Sequence, residues 1–503
     1  MRRAAESGTI HCLHRPARLP GHLENLSNMS SHRSLAAVAA RRIRLLSLAA
    51  LVLAPIVAHA QATPAVSTVV AFSGSVPAGN LVEGTDGALY GVTSTSTSVT
   101  TGLVYRATVD GSSVTTLHQI KPEEALNPQA GLVLASDNKL YGTTKLGMSG
   151  TLDTTGTIFA IAQSGTGYTT LHRFASFTTV NQNSQPINSD GAYPQTELIE
   201  GTDGNLYGVA TAGGANGTGT VFKMSRDGTA FQTLHAFGAI TSTVASGLTV
   251  NADGATSSAP LVQGADGRFY GTSALGGANG RGVVFRLAFD GTGFQVLHVF
   301  PEATADATTG LLKNSEGAVP LAGLVDGHDG FFYGVASQGG TSGHGTLFAI
   351  SPDGAAFTVL HEFDGNNGSG PVSELLVGRD GRLYGATSGG GTSSTGTATA
   401  FGTLFSIARD GTGFTRLHSL DGTNGARPSS QLLQLSDTVF VGVATGSGTC
   451  GSGTIFRYST TGDTVTGNTK CGVKKKSAYG SGATGPAVLL LMGGLGLARR
   501  RRR

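Results

Sequence analysis

The 503-residue sequence has no tryptophan, three cysteines and only 13% charged residues. Once Cys12 is set aside with the N-terminal segment, Cys450 and Cys471 are the only sulfur pair left, too few for a thiolate metal centre. The scarcity of charge beside 77 glycines counts against a helical protein, because glycine costs about 1 kcal/mol at each helical site. A basic footprint for nucleic acid is also missing. Between Gln61 and Lys476, 29 acidic residues face 21 basic ones, so no nucleic-acid partner is expected. The chain contains no G-x-S-x-G, no H-E-x-x-H, no phosphate loop and no EF-hand loop, and no catalytic, cofactor or metal residue is assigned. What is present is 39% hydrophobic residues, too many for a disordered chain, and a turn-rich composition that suits short strands.

The positive charge crowds the two ends. Residues 1–60 hold eight arginines, and Arg41, Arg42 and Arg44 precede the apolar run 45–57 and the tripeptide Ala58-His59-Ala60. That is the layout of a secretory signal peptide, with a retained anchor as the alternative and Met29 as a second possible start. At the other end a Gly/Ser stretch, 479–485, leads to the apolar run 486–498 and then to Arg499–Arg503. Thirteen helical residues reach about 20 Å, short of a hydrocarbon core of about 30 Å. Terminal arginines would stay cytoplasmic and leave the body outside. The expected organisation is 1–60 upstream segment and signal, 61–460 folded repeat, 461–485 polar tail, and 486–503 short apolar helix with its arginine cluster. The expected location is exported, in the periplasm, on the outer surface or outside the cell. In an oxidising compartment Cys450 and Cys471 read as a disulfide, two free thiols being the other reading.

The body is a repeat. Tyr90, Tyr141, Tyr207, Tyr270, Tyr333 and Tyr384 each precede a glycine and follow an aspartate by four residues, and a seventh copy has Val441 with Asp437. A second landmark is the aromatic at Tyr105, Phe159, Phe222, Phe285, Phe348, Phe405 and Phe456. A third is the histidine at His118, His172, His235, His298, His361 and His418. Between landmarks the residues alternate as strands do, with Asp-Gly turns of the hairpin kind. The fold class expected is all-β, a seven-bladed β-propeller of four-stranded blades, with a solenoid as the competing repeat fold.

Strand counting favours the ring. Only six histidine strands follow seven tyrosine strands, while an orphan, residues 68–72, opens the chain and mimics the missing one. It is expected to complete the last blade. Spacing then separates the two faces. The Asp-Gly turns hardly vary, whereas the step from histidine to the next tyrosine position is 23 or 35 residues and the tyrosine-to-aromatic step runs to 18 and 21 in two units. In a propeller the variable connections share one face, here called the loop face, and function is expected there. Proline stands thirteen residues before six of the seven tyrosine positions, with Ser257 as the exception, and is expected to fix the start of each first strand.

Copies such as 203–208, Asp-Gly-Asn-Leu-Tyr-Gly, and 290–298, Asp-Gly-Thr-Gly-Phe running to Leu-His, resemble the GloVer tandem repeat of bacterial "choice-of-anchor" exported proteins. The resemblance covers nearly the whole body and implies no catalytic residues. The C-terminal layout resembles sorting segments of the GlyGly-CTERM and PEP-CTERM type, although the Pro-Glu-Pro hallmark is absent. It implies contact with export and sorting machinery and a membrane through the C-terminal helix.

A histidine that recurs once per blade on an outer strand is spread around a ring, so a packed role, hydrogen-bonded to the neighbouring blade, is expected over metal or acid–base work. The turn aspartates, among them Asp203 and Asp290, each offer a single carboxylate, which suits an Asx turn better than calcium. The long segments 175–193, 238–259 and 301–319 are rich in Ser, Thr, Asn and Ala, and either line a binding surface or are passive. The reading is a monomeric binding scaffold for an extracellular glycan or protein. A polysaccharide hydrolase or lyase is the alternative, and a passive surface component is the third reading. Carboxylates converging on the channel mouth would favour an enzyme.

Overall fold

In the computed structural model the described residues are 63–94, 102–148, 155–243, 248–392 and 401–471. They contain strands and no helix. The signal segment 1–60, the stretch beyond Cys471 with the apolar run, and Met29 lie outside them.

Seven antiparallel sheets follow one another along the chain. The fourth blade is typical: Val262–Gln263, Phe269–Ser273, Val283–Leu287 and Gln295–Val299 pair in sequence order. In each blade the glycine after the tyrosine position lies opposite the third-strand aromatic, as Gly208 pairs with Phe222 and Gly271 with Phe285. A methyl group at Gly208 or Gly271 would come within 2.6 Å of the ring's Cζ. The Tyr-Gly step therefore leaves room for an aromatic that lies flat over its partner strand.

The core is shared between blades. Among the described residues there are seven buried clusters, and each unites the tyrosine side of one blade with the third-strand aromatic of the next: Tyr207 and Val209 with Phe269 and Phe285, Tyr270 with Phe332 and Phe348, Tyr384 with Phe440 and Phe456. The seventh cluster joins the last blade to the first, placing Val69, Val70, Phe72, Val441 and Ile455 against Leu81, Leu89 and Tyr105. Seven interfaces for seven blades mean a closed ring. A solenoid would leave its two end blades without this mutual cluster.

Closure uses the orphan strand. Ala65–Ala71 pairs antiparallel with Thr454–Ser459, so the last blade takes its outer strand from the N-terminal end of the body. The chain then continues past residue 460, where the sequence reading ended the folded part. The Asn468 N–H donates to the Val69 carbonyl at 2.8 Å, and the Ala71 N–H donates to the Asn468 carbonyl at 3.1 Å. This covers the outer edge of the closing strand, which would otherwise be an open row of backbone groups. The Cys450–Cys471 disulfide, with Cα atoms 5.4 Å apart, ties the covering segment to the loop before the last blade's third strand.

The prolines act together with the residue in front of them. Asn127, Tyr193, Thr256, Val319, Gly370 and Arg427 stand immediately before the proline position and have φ between 54 and 61°. This left-handed step turns each inter-blade connection down into the channel, and it is strained for β-branched Thr256 and Val319. The proline packs on the preceding blade: a methyl group at Gly282 would meet Pro320 Cδ at 2.7 Å.

Replacing Cys450 or Cys471 with Ser removes a cross-link spanning 21 residues. The loss of stability expected for such a loop is about 3 kcal/mol, read as a lower urea midpoint. An unchanged midpoint contradicts a closure held by this bond.

Candidate functional site

The repeated residues that stand out in the sequence turn out to hold the ring together. Each of the six tyrosine hydroxyls donates to the aspartate four residues earlier, at 2.7–3.1 Å. The same aspartates accept the backbone N–H two residues on, which closes the turn. These are Asx turns, as the single carboxylate per turn suggested. Hydroxyl and backbone donors hold Asp110 and Asp227, in the second set of turns, down to about 2.

The histidines lie on the fourth strands, away from the channel. His172, His235, His298 and His361 stack on Phe231, Phe294, Phe357 and Phe414 of the following blade with centroids 3.7–3.8 Å apart, and His118 stacks on Tyr168 at 4.1 Å. The expectation of a hydrogen bond to the neighbouring blade needs refinement. The neighbour supplies a ring face, and in three blades the hydrogen bond goes to a carboxylate on the connection that leaves the histidine's own strand, Glu124 for His118, Asp190 for His172 and Asp253 for His235, while His361 pairs with the Asn367 amide. His298 lies 3.1 Å from Glu316, out of line for a hydrogen bond, and burial holds its pKa down to about 4.

The three long connections are not structureless. Each carries a hairpin of two-residue strands, 179–187, 242–250 and 304–313. An asparagine closes each base. Asn188 donates to the Ala175 and Gly191 carbonyls and accepts from the Gly191 and Gly214 N–H groups. Asn251 repeats the arrangement, and Asn314 does so closely.

The groups that converge are others. The channel holds a cavity of about 470 Å³. All seven residues twelve positions before the tyrosine site line it: Ala78, Gln129, Gln195, Ser258, Leu321, Val372 and Ser429. Ser94 and Thr445, where second strands run out into their loops, line it too, so its mouth is on the loop face. Two residues further along the chain is a second ring: Asn80, Gly131, Glu197, Pro260, Gly323, Glu374 and Gln431. It forms the floor.

There the Glu197 carboxylate accepts the Asn80 backbone N–H at 2.7 Å and the Asn80 side-chain amide at 2.8 Å. The same amide nitrogen donates to Glu374 at 3.3 Å. Asn80 Oδ1 in turn accepts the Gln431 N–H at 2.6 Å. Backbone N–H groups of Gly131 and Gly323 complete the sets on Glu197 and Glu374. Both glycines are dictated by this, since a methyl group at Gly131 would fall 1.6 Å from a Glu197 oxygen and one at Gly323 2.3 Å from a Glu374 oxygen. Desolvation raises both carboxyls, Glu197 to about 7 and Glu374 to about 8, the latter helped by its charged neighbour. No Lys, Arg or His is among the described residues lining the cavity. Sequence reasoning missed this site, although the signal was there: ten residues before the tyrosine position the seven copies disagree, and four of them are polar.

On the turn face a second depression, of about 500 Å³, lies between Asp203 and Arg268 with Phe289 at its edge, 54% exposed. Gln263 bridges it to Thr202, so its polar groups are engaged in joining two blades.

With the ring, the landmarks and the channel in place, comparison with known proteins gives a definite family. The Gloeobacter/Verrucomicrobia repeat model matches residues 57–251, 249–398 and 320–490. The chain belongs to this repeat family. No curated protein matches it. Among solved structures, an oligogalacturonate lyase from Vibrio parahaemolyticus is 10% identical over 79% of this chain and 97% of its own, with a TM-score of 0.41. A chain of the nidogen/laminin complex is 14% identical over 62% and 87%, at 0.34. TolB from Acinetobacter baumannii is 13% identical over 68% and 62%, at 0.36. These likenesses concern the fold alone.

The floor generates a pH prediction. A carboxyl raised above the ordinary glutamate value of 4.5 binds its proton more tightly in the folded than in the unfolded chain. Its contribution to stability is therefore complete below about pH 4.5 and is lost as pH rises through about 7 to 8. Thermal melts of Glu374→Gln against the parent should diverge with rising pH, the variant gaining roughly 2 °C or more between about pH 5 and 9. Parallel profiles contradict the assignment.

Proposed function

We propose that this repeat-family propeller is an exported protein that binds a neutral, hydroxyl-rich ligand, a glycan, at the loop-face mouth of its channel. One observation carries the reading: the cavity is lined by the amides of Gln129 and Gln195, the hydroxyls of Ser94, Ser258, Ser429 and Thr445, and two carboxyls, with no cation among the described lining residues to meet an anionic ligand. Amides and carboxyls both accept and donate in the patterns sugar hydroxyls need. Leu321, 37% exposed, and Val372 supply apolar contact for a ring face. Export is supported by the disulfide and by the charged and apolar layout of residues 41–60. The C-terminal apolar run and arginine cluster fit a sorting or anchoring segment that engages the membrane and holds the loop face outside the cell.

The test is a glycan array with the full chain. Neutral oligosaccharides should be retained and uronate or sialylated ones rejected. Gln195→Ala combined with Gln129→Ala should weaken retention at least about tenfold, since two hydrogen bonds of about 1 kcal/mol each are removed. Retention of anionic glycans only, or of none, contradicts the reading.

A further inference from the structure

The floor of the cavity has the composition of a reaction centre, which plain binding does not require. Glu197 and Glu374 both line the open space, and they reach the same Asn80 amide nitrogen at 2.8 and 3.3 Å. Two oxygens held on one nitrogen at those distances lie no more than about 6 Å apart, so the two carboxyls stand close together. Pairs that hydrolyse glycosides with retention are about 5–5.5 Å apart, whereas inverting pairs need about 6.5–9.5 Å to admit a water between them. The two glutamates also differ in their partners. Glu197 accepts the Asn80 backbone, the Asn80 amide and the Gly131 backbone, three donors that favour its ionised form. Glu374 has fewer donors and the negative Glu197 beside it, which favours its protonated form.

We infer that the channel floor hydrolyses a glycosidic bond of a neutral saccharide with retention of configuration, Glu374 acting as general acid and then base and Glu197 as nucleophile. This rests on the glycan reading of the cavity given above. The proton on Glu374 passes to the glycosidic oxygen as the bond from that oxygen to the anomeric carbon breaks. A Glu197 oxygen bonds to the same carbon, forming a glycosyl ester. Glu374, now ionised, takes a proton from water, whose oxygen displaces Glu197. The products are a hemiacetal and the departing alcohol, with one water consumed and both carboxyls restored. Asn80 is a positioning residue that spaces the pair. β-Elimination from a uronate would need a cation against the substrate carboxylate, and the described lining residues include none.

The experiment offers the full chain a panel of para-nitrophenyl glycosides of common neutral hexoses and pentoses in both anomers. Hydrolysis of at least one is expected, and proton NMR should show the product first in the substrate's anomeric configuration. A fluorinated slow substrate of the same sugar should label Glu197, located by peptide mass spectrometry. Glu197→Gln and Glu374→Gln, checked for cooperative unfolding well above the assay temperature, should each lose about a hundredfold to ten-thousandfold in turnover. Inverted product, or labelling elsewhere, overturns the assignment of roles. Retention of neutral glycans on the array with no turnover of any panel member overturns the hydrolase and leaves the binding reading intact. Absence of both overturns the two together.

Discussion

One antiparallel ladder, between Ala65–Ala71 and Thr454–Ser459, decides what the rest of the molecule can be. Each blade buries its apolar face only against the next, so an open array of seven would leave the faces at its two ends wet. The closing ladder brings Val69, Val70 and Phe72 under Tyr105 and Leu81 and makes the seventh cluster possible. The same closure defines the channel. Asn80 lies in the first blade, Glu374 and Gln431 in the last two, and only a closed ring brings them within hydrogen-bonding distance. A local ladder near the rim thus sets the chemistry on the axis.

The division of labour between the faces follows from the same geometry. Tight turns with their Tyr–Asp hydrogen bonds tie the strands of six blades, and aromatic stacking of His on Phe ties neighbouring blades at the outer strands. These contacts repeat because blade follows blade by the same rotation. The axis is different, since there seven equivalent positions face one another and identical side chains would collide. Two glutamates fit because glycine precedes each of them in the neighbouring blade: Gly131 before Glu197, Gly323 before Glu374.

This explains what could be read from sequence. Periodic landmarks disclosed the propeller, the blade count and the closing strand, because packing between like blades demands like residues. Tyr207 and Asp203, or Gly208 and Phe222, declare their roles by recurring. The hairpins in the long connections were not legible, since strands of two residues are too short for alternation to register, and their closing asparagines look like any loop polar residue. The channel floor was the hardest part. Glu197 and Glu374 occur in only two copies and carry no motif, and what makes them a pair is the approach of blades far apart in sequence. A site made where the repeats differ is invisible to a reading that rewards agreement.

The central claim, ring closure by the N-terminal strand, is tested most directly by amide hydrogen exchange followed by mass spectrometry. The amides of residues 65–71 should be as slow to exchange as those of 454–459, because both would open only with the whole ring. Rapid exchange in 65–71 beside slow exchange in 454–459 would contradict closure, and with it the channel and the site on its floor.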